Sequence, residues 1–547
     1  MSAQAVSPGG MITDRPSGDR PPLPEYSPTE RPPGFTLPPA PSSRPKTTLD
    51  GEPQLVVKQF RFSGNTVFAD RELQAIADPF LGRAIGAADL EQIRHSLTQH
   101  YISQGYRNSG AILPKQVFKN GVIHFQIIEG ELSEIRVSGT GWLQPDYVRD
   151  RLESGAGPPL SDQLLQDRFQ LVLTDPLIER MDGRLMPGLA PGESLLDIKV
   201  TRAKPYALSL SVDNYRPPST GAEEVRMDGW LRNMTGFGDL LSLSLGYGIE
   251  RFDIDTGMTL PISRYDTLVG FQYTNRSSSI QEEPLDALDI DNRFRGLEFT
   301  LFQPVYRTLE RRVNFGARLA LRKSRNTLLG RGVPLSLGEE NGRSKVTVLR
   351  LSQEFINSRE TQVFSFRSTF SVGLNLFDAT WHDDNRPDGD FFAWLGQLQY
   401  ARQVMANGAE IRFRADVQLA DDPLLPLEQY AIGGVYSVRG YRENEVVGDQ
   451  GYSLSVEFQY PLLSVGIAKT IPGVLVAIPF MGYGAAWNKG EGNNTRHLHG
   501  VGIGLAWSHR RFSAELFYAH DLNNAPDRPE YDLQDASVYF RVTAFLL

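Results

Sequence analysis

Val438-Arg439-Gly440-Tyr441 is the cluster whose residue types could do the most chemistry. A bulky cation beside a glycine and an aromatic is suited to be threaded into a confined polar space and held there by ion pairing and close backbone packing. Bond-making chemistry has less to work with. His497 and His499 are acid–base groups, but neither an acid nor a nucleophile keeps them company in the sequence, so they read as solvated loop histidines. No Gly-rich loop ending in Gly-Lys-Ser or Gly-Lys-Thr cradles a phosphate. No catalytic residue, metal ligand or cofactor is therefore expected.

The space around Arg439 is defined by the segments that flank it. Strands with lipid on one side and water on the other must alternate apolar and polar side chains over about ten residues. In 363–377 one face carries Phe364, Phe366, Phe370, Val372, Leu374 and Leu376, and the other Ser365, Arg367, Thr369, Ser371, Gly373 and Asn375. Leu241, Leu243, Leu245 and Tyr247 alternate in the same way with Ser242, Ser244, Gly246 and Gly248, and Val501, Ile503, Leu505 and Trp507 with Gly502, Gly504, Ala506 and Ser508. From Tyr206 to the C-terminus about sixteen such segments follow one another, the number expected of a mid-sized membrane β-barrel. Short turns (233–238, 357–362, 405–410, 508–511) alternate with long loops (278–292, 327–342, 378–390, 419–450, 520–535). An even count of antiparallel strands with both barrel ends on the periplasmic side follows. A soluble β-sandwich would need an apolar inward face, which these segments lack.

Composition agrees. No run approaches the ~18 apolar residues of a membrane helix, and the mean hydropathy is −0.31. The absence of cysteine suits passage through an oxidising compartment. A net charge of −9 without a basic stripe argues against nucleic acid as a partner. Residues 1–53 are Pro-rich, about a third of the 36 prolines preceding Lys46, and read as a linker-like or disordered segment. No apolar core follows Met1, so a secretory signal is expected upstream or already removed.

Between this segment and the barrel lies an internal repeat. Phe60-Arg61-Phe62-Ser63-Gly64 recurs as Ile135-Arg136-Val137-Ser138-Gly139. The first copy continues with a short helix over 71–77, a helix carrying Leu90, Ile93, Leu97 and Tyr101 on one face, and strands over 111–117 and 122–129. In the second, 147–152 is helical, Ser161 opens a helix with Leu165, Phe169 and Val172 on one face, and 194–201 forms the closing strand. Each copy reads strand, helix, helix, strand, strand: a three-stranded sheet covered on one face, with an edge free for an extended peptide.

Two such repeats (54–131 and 132–204) ahead of a barrel over 205–547, with the Arg439 string in a sixth external loop at about 419–450, resemble the outer-membrane transporter (TpsB) of two-partner secretion systems, in the Omp85 superfamily. Leu210-Ser211-Val212-Asp213-Asn214-Tyr215 and Ser219-Thr220-Gly221 are similar to that family's first barrel strand and hairpin. The resemblance implies that the repeats are POTRA domains and that Arg439 folds into the lumen to meet two wall carboxylates. On the strand after the loop, Tyr452, Leu454, Val456, Phe458 and Tyr460 alternate outward, which turns Glu457 inward with Ser453, Ser455 and Gln459 and makes it the expected partner. The second carboxylate is missing, because the family's aromatic-x-Asp-x-Gly is here Phe480-Met481-Gly482-Tyr483-Gly484. A weakened transporter, another acid in place, or a chain carrying a substitution all fit that departure. Gly482 and Gly484 leave the wall smooth enough for the loop backbone to approach.

The implied function is capture of a large, secreted, β-helical exoprotein in the periplasm by strand addition to a repeat, and its passage through the bacterial outer membrane without ATP. An Omp85-type insertase is the alternative, with a weakly sealed seam between first and last strands. Val538, Phe540, Val542, Ala544 and Leu546 alternate outward near the end of the chain, which closes on Leu547 rather than an aromatic. A general porin would lack the repeats, and an outer-membrane hydrolase would need a catalytic constellation at the rim.

Overall fold

The computed structural model describes residues 55–547 apart from 119, 156, 284, 385, 467–471, 491–494 and 524–531; the Pro-rich segment 1–53 lies outside the described residues. The described chain divides into two compact units, with the boundary in the sequence at Ala203 and Lys204.

The first unit contains both α/β repeats. Strand Gln59–Ser63 leads into helices Asp70–Ala77 and Ala87–Ser103 and strands Gly110–Ile112 and Val122–Ile128. The order returns as Glu131–Ser138, Pro145–Glu153, Asp162–Leu173, Ile178–Pro187 and Glu193–Arg202. In each sheet the first strand runs parallel to the last, which is central, so the first and middle strands are the edges. The helix faces carrying Leu90, Ile93, Leu97 and Tyr101, and Leu165, Phe169 and Val172, are buried against these sheets. Ser161 caps the second long helix, its Oγ accepting the Leu164 N–H.

Gly64 and Gly139 explain why the repeat signature ends in glycine. Both have left-handed φ (+82° and +79°), and a Cβ at either would lie 2.3 Å from a carbonyl oxygen of the central strand, Ile127 or Val200. Only glycine fits that combination. One expectation needs correction: the strand over 111–117 is only Gly110–Ile112. Beyond it the side-chain amide of Gln116 replaces the ladder, donating to the His124 carbonyl (2.8 Å) and accepting its N–H (2.9 Å). The repeats are joined by an Arg107–Asp162 ion pair (2.5 Å) and by backbone bonds from Asp162 to Gly105 and from Leu160 to Gly130.

Among the described residues sixteen strands close the second unit into an antiparallel ring. They are β1 Tyr206–Asp213, β2 Glu224–Arg232, β3 Leu240–Gly248, β4 Arg251–Pro261, β5 Leu268–Ser279, β6 Ile290–Arg307, β7 Arg311–Leu328, β8 Arg343–Arg359, β9 Gln362–Gly373, β10 Phe392–Gln403, β11 Glu410–Ala420, β12 Gln450–Gly466, β13 Pro472–Trp487, β14 Arg496–Ser508, β15 Phe512–Asp521 and β16 Val538–Phe545. A two-residue strand, Arg331–Gly332, folds back on the end of β7. On β12 the alternation holds: Leu454 and Val456 are exposed on the outer face, and Ser453 and Glu457 are buried on the inner one.

Two expectations shift at strand ends. β9 stops at Gly373, so Leu374, Asn375, Leu376 and Phe377 belong to a loop, turned by Phe377 and Asp378 with φ of +55° and +64°. His497 and His499 lie in β14 rather than a loop, where an aromatic stack supports them: His497 Nδ1 is 3.0 Å from the Tyr483 hydroxyl, and the His499 ring meets the Tyr483 ring edge-on at 4.5 Å. Nor is the inward face uniformly polar. Val346, Val348, Phe391 and Ala393 form an apolar patch on it, and the loop after β11 covers that patch with Leu424, Leu425 and Leu427.

Candidate functional site

The loop between β11 and β12 is the sixth external connection, and it folds into the barrel. Tyr430–Ile432 and Val446–Gly448 pair as a narrow antiparallel ribbon. Ile432, Val438, Tyr441 and Val446 pack in one apolar cluster with Leu395, Ala486 and Leu498 of the wall. Such burial holds a polar-rich loop inside a lumen, because each of these side chains would otherwise meet water.

At the ribbon's tip Arg439 points into the wall. Its Nη2 lies 2.7 Å from Glu457 Oε1 on β12. The guanidinium is also held between two rings, 4.5 Å from the centroid of Phe480 on β13 and 4.4 Å from that of Phe517 on β15. A cation–π contact of this desolvated kind is worth about 2 kcal/mol, comparable with a second charge-assisted hydrogen bond of about 1.5–3 kcal/mol. Two aromatic faces thus stand around the arginine of a wall that lacks the second carboxylate.

The glycines of the inner wall let the loop backbone touch it. A Cβ at Gly482 would lie 3.4 Å from the Ser437 carbonyl oxygen and 3.5 Å from Val438 Cα, ordinary contact distances, whereas one at Gly484 would be 3.0 Å from Val438 Cγ2. The closest approach is at Gly500 on β14, where a Cβ would fall 1.9 Å from the carbonyl oxygen of Arg439. No side chain fits there while the loop is seated.

The rest of the string is tied to the last strands. The Tyr539 hydroxyl on β16 accepts the Gly440 N–H (3.0 Å) and donates to the Tyr441 carbonyl (2.6 Å), and Ser537 Oγ donates to the Gly440 carbonyl (3.2 Å). Tyr441 Oη donates to the His499 carbonyl (3.0 Å). Next in sequence, Arg442 binds both carboxylate oxygens of Asp535 at 2.5 Å and reaches Glu282 at 2.8 Å. At the ribbon's base the charges are reversed: Glu428 of the loop meets Arg350 of β8 (2.6 Å) and Arg322 of β7 (3.3 Å). The loop is therefore pinned by acids at one end and by bases at the other.

The structure brings together Val438, Arg439, Gly440, Tyr441, Glu457, Phe480, Gly482 and Gly484. Sequence reasoning did not find Phe517, Tyr539, Gly500, Glu428, Arg442 or Gln534. Tyr539 had a signal, being the one large polar ring at an inward position of the last strand. Among the described residues no His/Cys/Asp/Glu group could hold a metal.

A ring of sixteen lipid-facing strands, occupied by one of its own loops and preceded by α/β repeats with free sheet edges, defines a POTRA-bearing outer-membrane barrel. The profile of the family described as "Haemolysin secretion/activation protein ShlB/FhaC/HecB" matches residues 192–507, and the chain belongs to that family. The profile "POTRA domain, ShlB-type" matches residues 55–130. Among similar proteins, the Heme/hemopexin transporter protein HuxB of Haemophilus influenzae (strain 86-028NP) is 23% identical over 84% of this chain and 82% of its own length. The Hemolysin transporter protein ShlB of Serratia marcescens is 22% identical over 72% and 69%. Of solved structures, CdiB from Escherichia coli aligns with a TM-score of 0.69 at 22% identity, covering 92% of this chain and 93% of that one. BamA from Haemophilus ducreyi lacking POTRA domains 1–3 aligns at 0.54 and 14%, covering 90% and 100%; both likenesses concern the fold. The chain is an outer-membrane translocation pore of two-partner secretion with a periplasmic POTRA domain, and its family is one of transporters rather than enzymes. Its partner class is the secreted exoprotein of such a system.

Proposed function

We propose that residues 54–131 and 132–204 act as two POTRA domains that capture the unfolded exoprotein in the periplasm by adding it as a strand to a sheet edge, and that 205–547 carries it outward as an extended chain. The cargo is a large protein of β-helical type, and its folding outside supplies the drive, so the chain needs neither ATP nor a catalytic group. Outer-membrane lipid surrounds the apolar outer face.

Loop 6 closes this pore at rest, and Arg439 is its fastener. The observation that carries the reading is the Arg439 guanidinium held inside the barrel between Glu457, Phe480 and Phe517. Gly482, where the family has aspartate, makes the fastening depend more on the two rings and less on charge. Replacing Arg439 by alanine takes from buried Glu457 its hydrogen-bonded partner, a loss smaller than the roughly 3–5 kcal/mol of an uncompensated buried charge because Arg414 and Arg412 stand nearby. Arg439→Ala is expected to raise single-channel conductance in planar bilayers and to lower exoprotein secretion from cells. Unchanged values of both would remove the fastening role.

A further inference from the structure

The barrel closes by a different kind of bond at its external end than along the rest of the seam. The β1–β16 ladder spans Ser209–Asp213 against Arg541–Phe545, whereas β2 pairs with the whole of Tyr206–Asp213. Beyond Asp213 the side chain of Asn214 joins its backbone in the pairing. Asn214 Nδ2 donates to the Val538 carbonyl (2.9 Å), its Oδ1 accepts the Phe540 N–H (2.8 Å), and its own N–H donates to the Phe540 carbonyl (3.3 Å). Asp213 and Arg541 form an ion pair across the same edge (3.0 Å).

Gln534, in the connection before β16 and 1% exposed, sits on this junction. Its Nε2 donates to the carbonyls of Asn214 and Arg216, both at 2.6 Å, and its Oε1 accepts the N–H of Glu443 in loop 6 at 2.8 Å. One buried amide thus spans three segments: the end of β1, the lead-in to β16 and the loop tip. Two residues that follow it also grip the loop, since Asp535 holds Arg442 and Ser537 holds the Gly440 carbonyl. Asp535, Ser537 and Tyr539 seat the loop, and Gln534 bonds both to the loop and to the carbonyls that follow β1, so seam and loop meet at its amide.

We propose that Gln534 is a positioning residue that makes closure of the external end of the β1–β16 seam conditional on loop 6 being seated. When the tip leaves, Gln534 loses its acceptor bond and the buried setting that orients its donors, and the Asn214 junction loosens. The proposal rests on the reading of loop 6 as a displaceable fastener, and by thermodynamic reciprocity a loosened seam favours release of the loop.

Backbone amide exchange on the full chain in lipid nanodiscs tests the coupling. Arg439→Ala, Arg442→Ala and their double variant are compared, and the first that strips protection from the Gly440 and Glu443 amides is expected to speed exchange at Asn214 and Phe540 by about tenfold or more. Gln534→Glu separates the two arms: its carboxylate still accepts the Glu443 N–H but faces the Asn214 and Arg216 carbonyls with no donor. It is expected to speed exchange at Asn214 and Phe540 while the Glu443 amide stays protected, an effect that general loss of packing does not give. Migration of unheated samples on a denaturing gel reports a closed barrel for each variant. Should Gln534→Glu fail to assemble, Gln534→Met takes its place, with the seam amides as its readout. Seam amides that keep wild-type rates when the tip is released, or in the assembled Gln534 variant, overturn the proposal. Secretion and conductance judge the fastener separately, so the two failures are distinguishable.

Discussion

Arg439 shows how much one residue's environment says and how much its neighbours in sequence withhold. Its string and Glu457 were legible because a period of two assigns each side chain on β12 to a face. Phe517 was not, since an aromatic at an inward position of one strand signals nothing until Gly502 and Gly504 of β14 are seen to let its ring reach that of Phe480 on β13. Gly500 was equally silent, one of several glycines on β14, yet its missing Cβ is what admits the Arg439 carbonyl. The pair Gly482 and Gly500 therefore makes a sharp comparison. Gly482→Ala adds a methyl at ordinary contact distance and is expected to leave conductance within error of wild type. Gly500→Ala places its methyl 1.9 Å from a carbonyl, an overlap that drives the loop out, and is expected to give frequent long openings in the same recording.

At the scale of elements, the first α/β repeat is held by a carboxylate as well as by its core. Glu129, at the end of the central strand, accepts the Thr66 hydroxyl (2.5 Å), the N–H groups of Thr66 and Val67 (2.7 and 2.9 Å) and the Tyr101 hydroxyl (3.0 Å). Burial pulls its pKa upward, but the Thr66 hydroxyl and the two backbone N–H groups outweigh it and hold the carboxyl below its ordinary value. A group depressed on folding stabilises the fold above its unfolded pKa of about 4.3, and that contribution is lost as pH falls through the lower folded value. Protection of the Thr66 and Val67 amides, taken relative to the intrinsic exchange rate at each pH, is therefore expected to fall below about pH 4 in the wild type. In Glu129→Gln that protection should already be lower at pH 7 and change little on acidification. The repeat's strand–helix–helix order was readable from hydrophobic spacing; the truncation of the strand at Ile112 was not, because a glutamine that imitates a backbone has no periodic signature.

Over the whole molecule, the ring and its strand number follow from alternation repeated about sixteen times, each instance weak alone. The connections resisted reading. External loops carry no period, so the fold of loop 6 onto the wall, the acid–base reversal between Glu428 and Arg439, and the sharing of Gln534 all depend on which distant segments closure brings together. A ring that depends on one loop should also show it in bulk. Removing both anchors, with Glu428→Ala and Arg439→Ala combined, is expected to lower the temperature at which the folded gel band converts to the unfolded one. Because the two anchors are separate, the shift should be close to the sum of those of the single variants.

The wall itself is uneven. β6, β7 and β8 run for 18, 18 and 17 residues, while β1 and β16, which meet at the seam, have 8 each. A strand tilted about 45° needs about 9–11 residues to cross a hydrocarbon core. Lipid packed against the short side must compress to match it, at a modest cost for each ångström of mismatch. The bilayer should consequently be pinched on one flank of the molecule and full-thickness on the other, a lopsided collar that scattering from nanodiscs or the depth of spin labels around the rim would reveal.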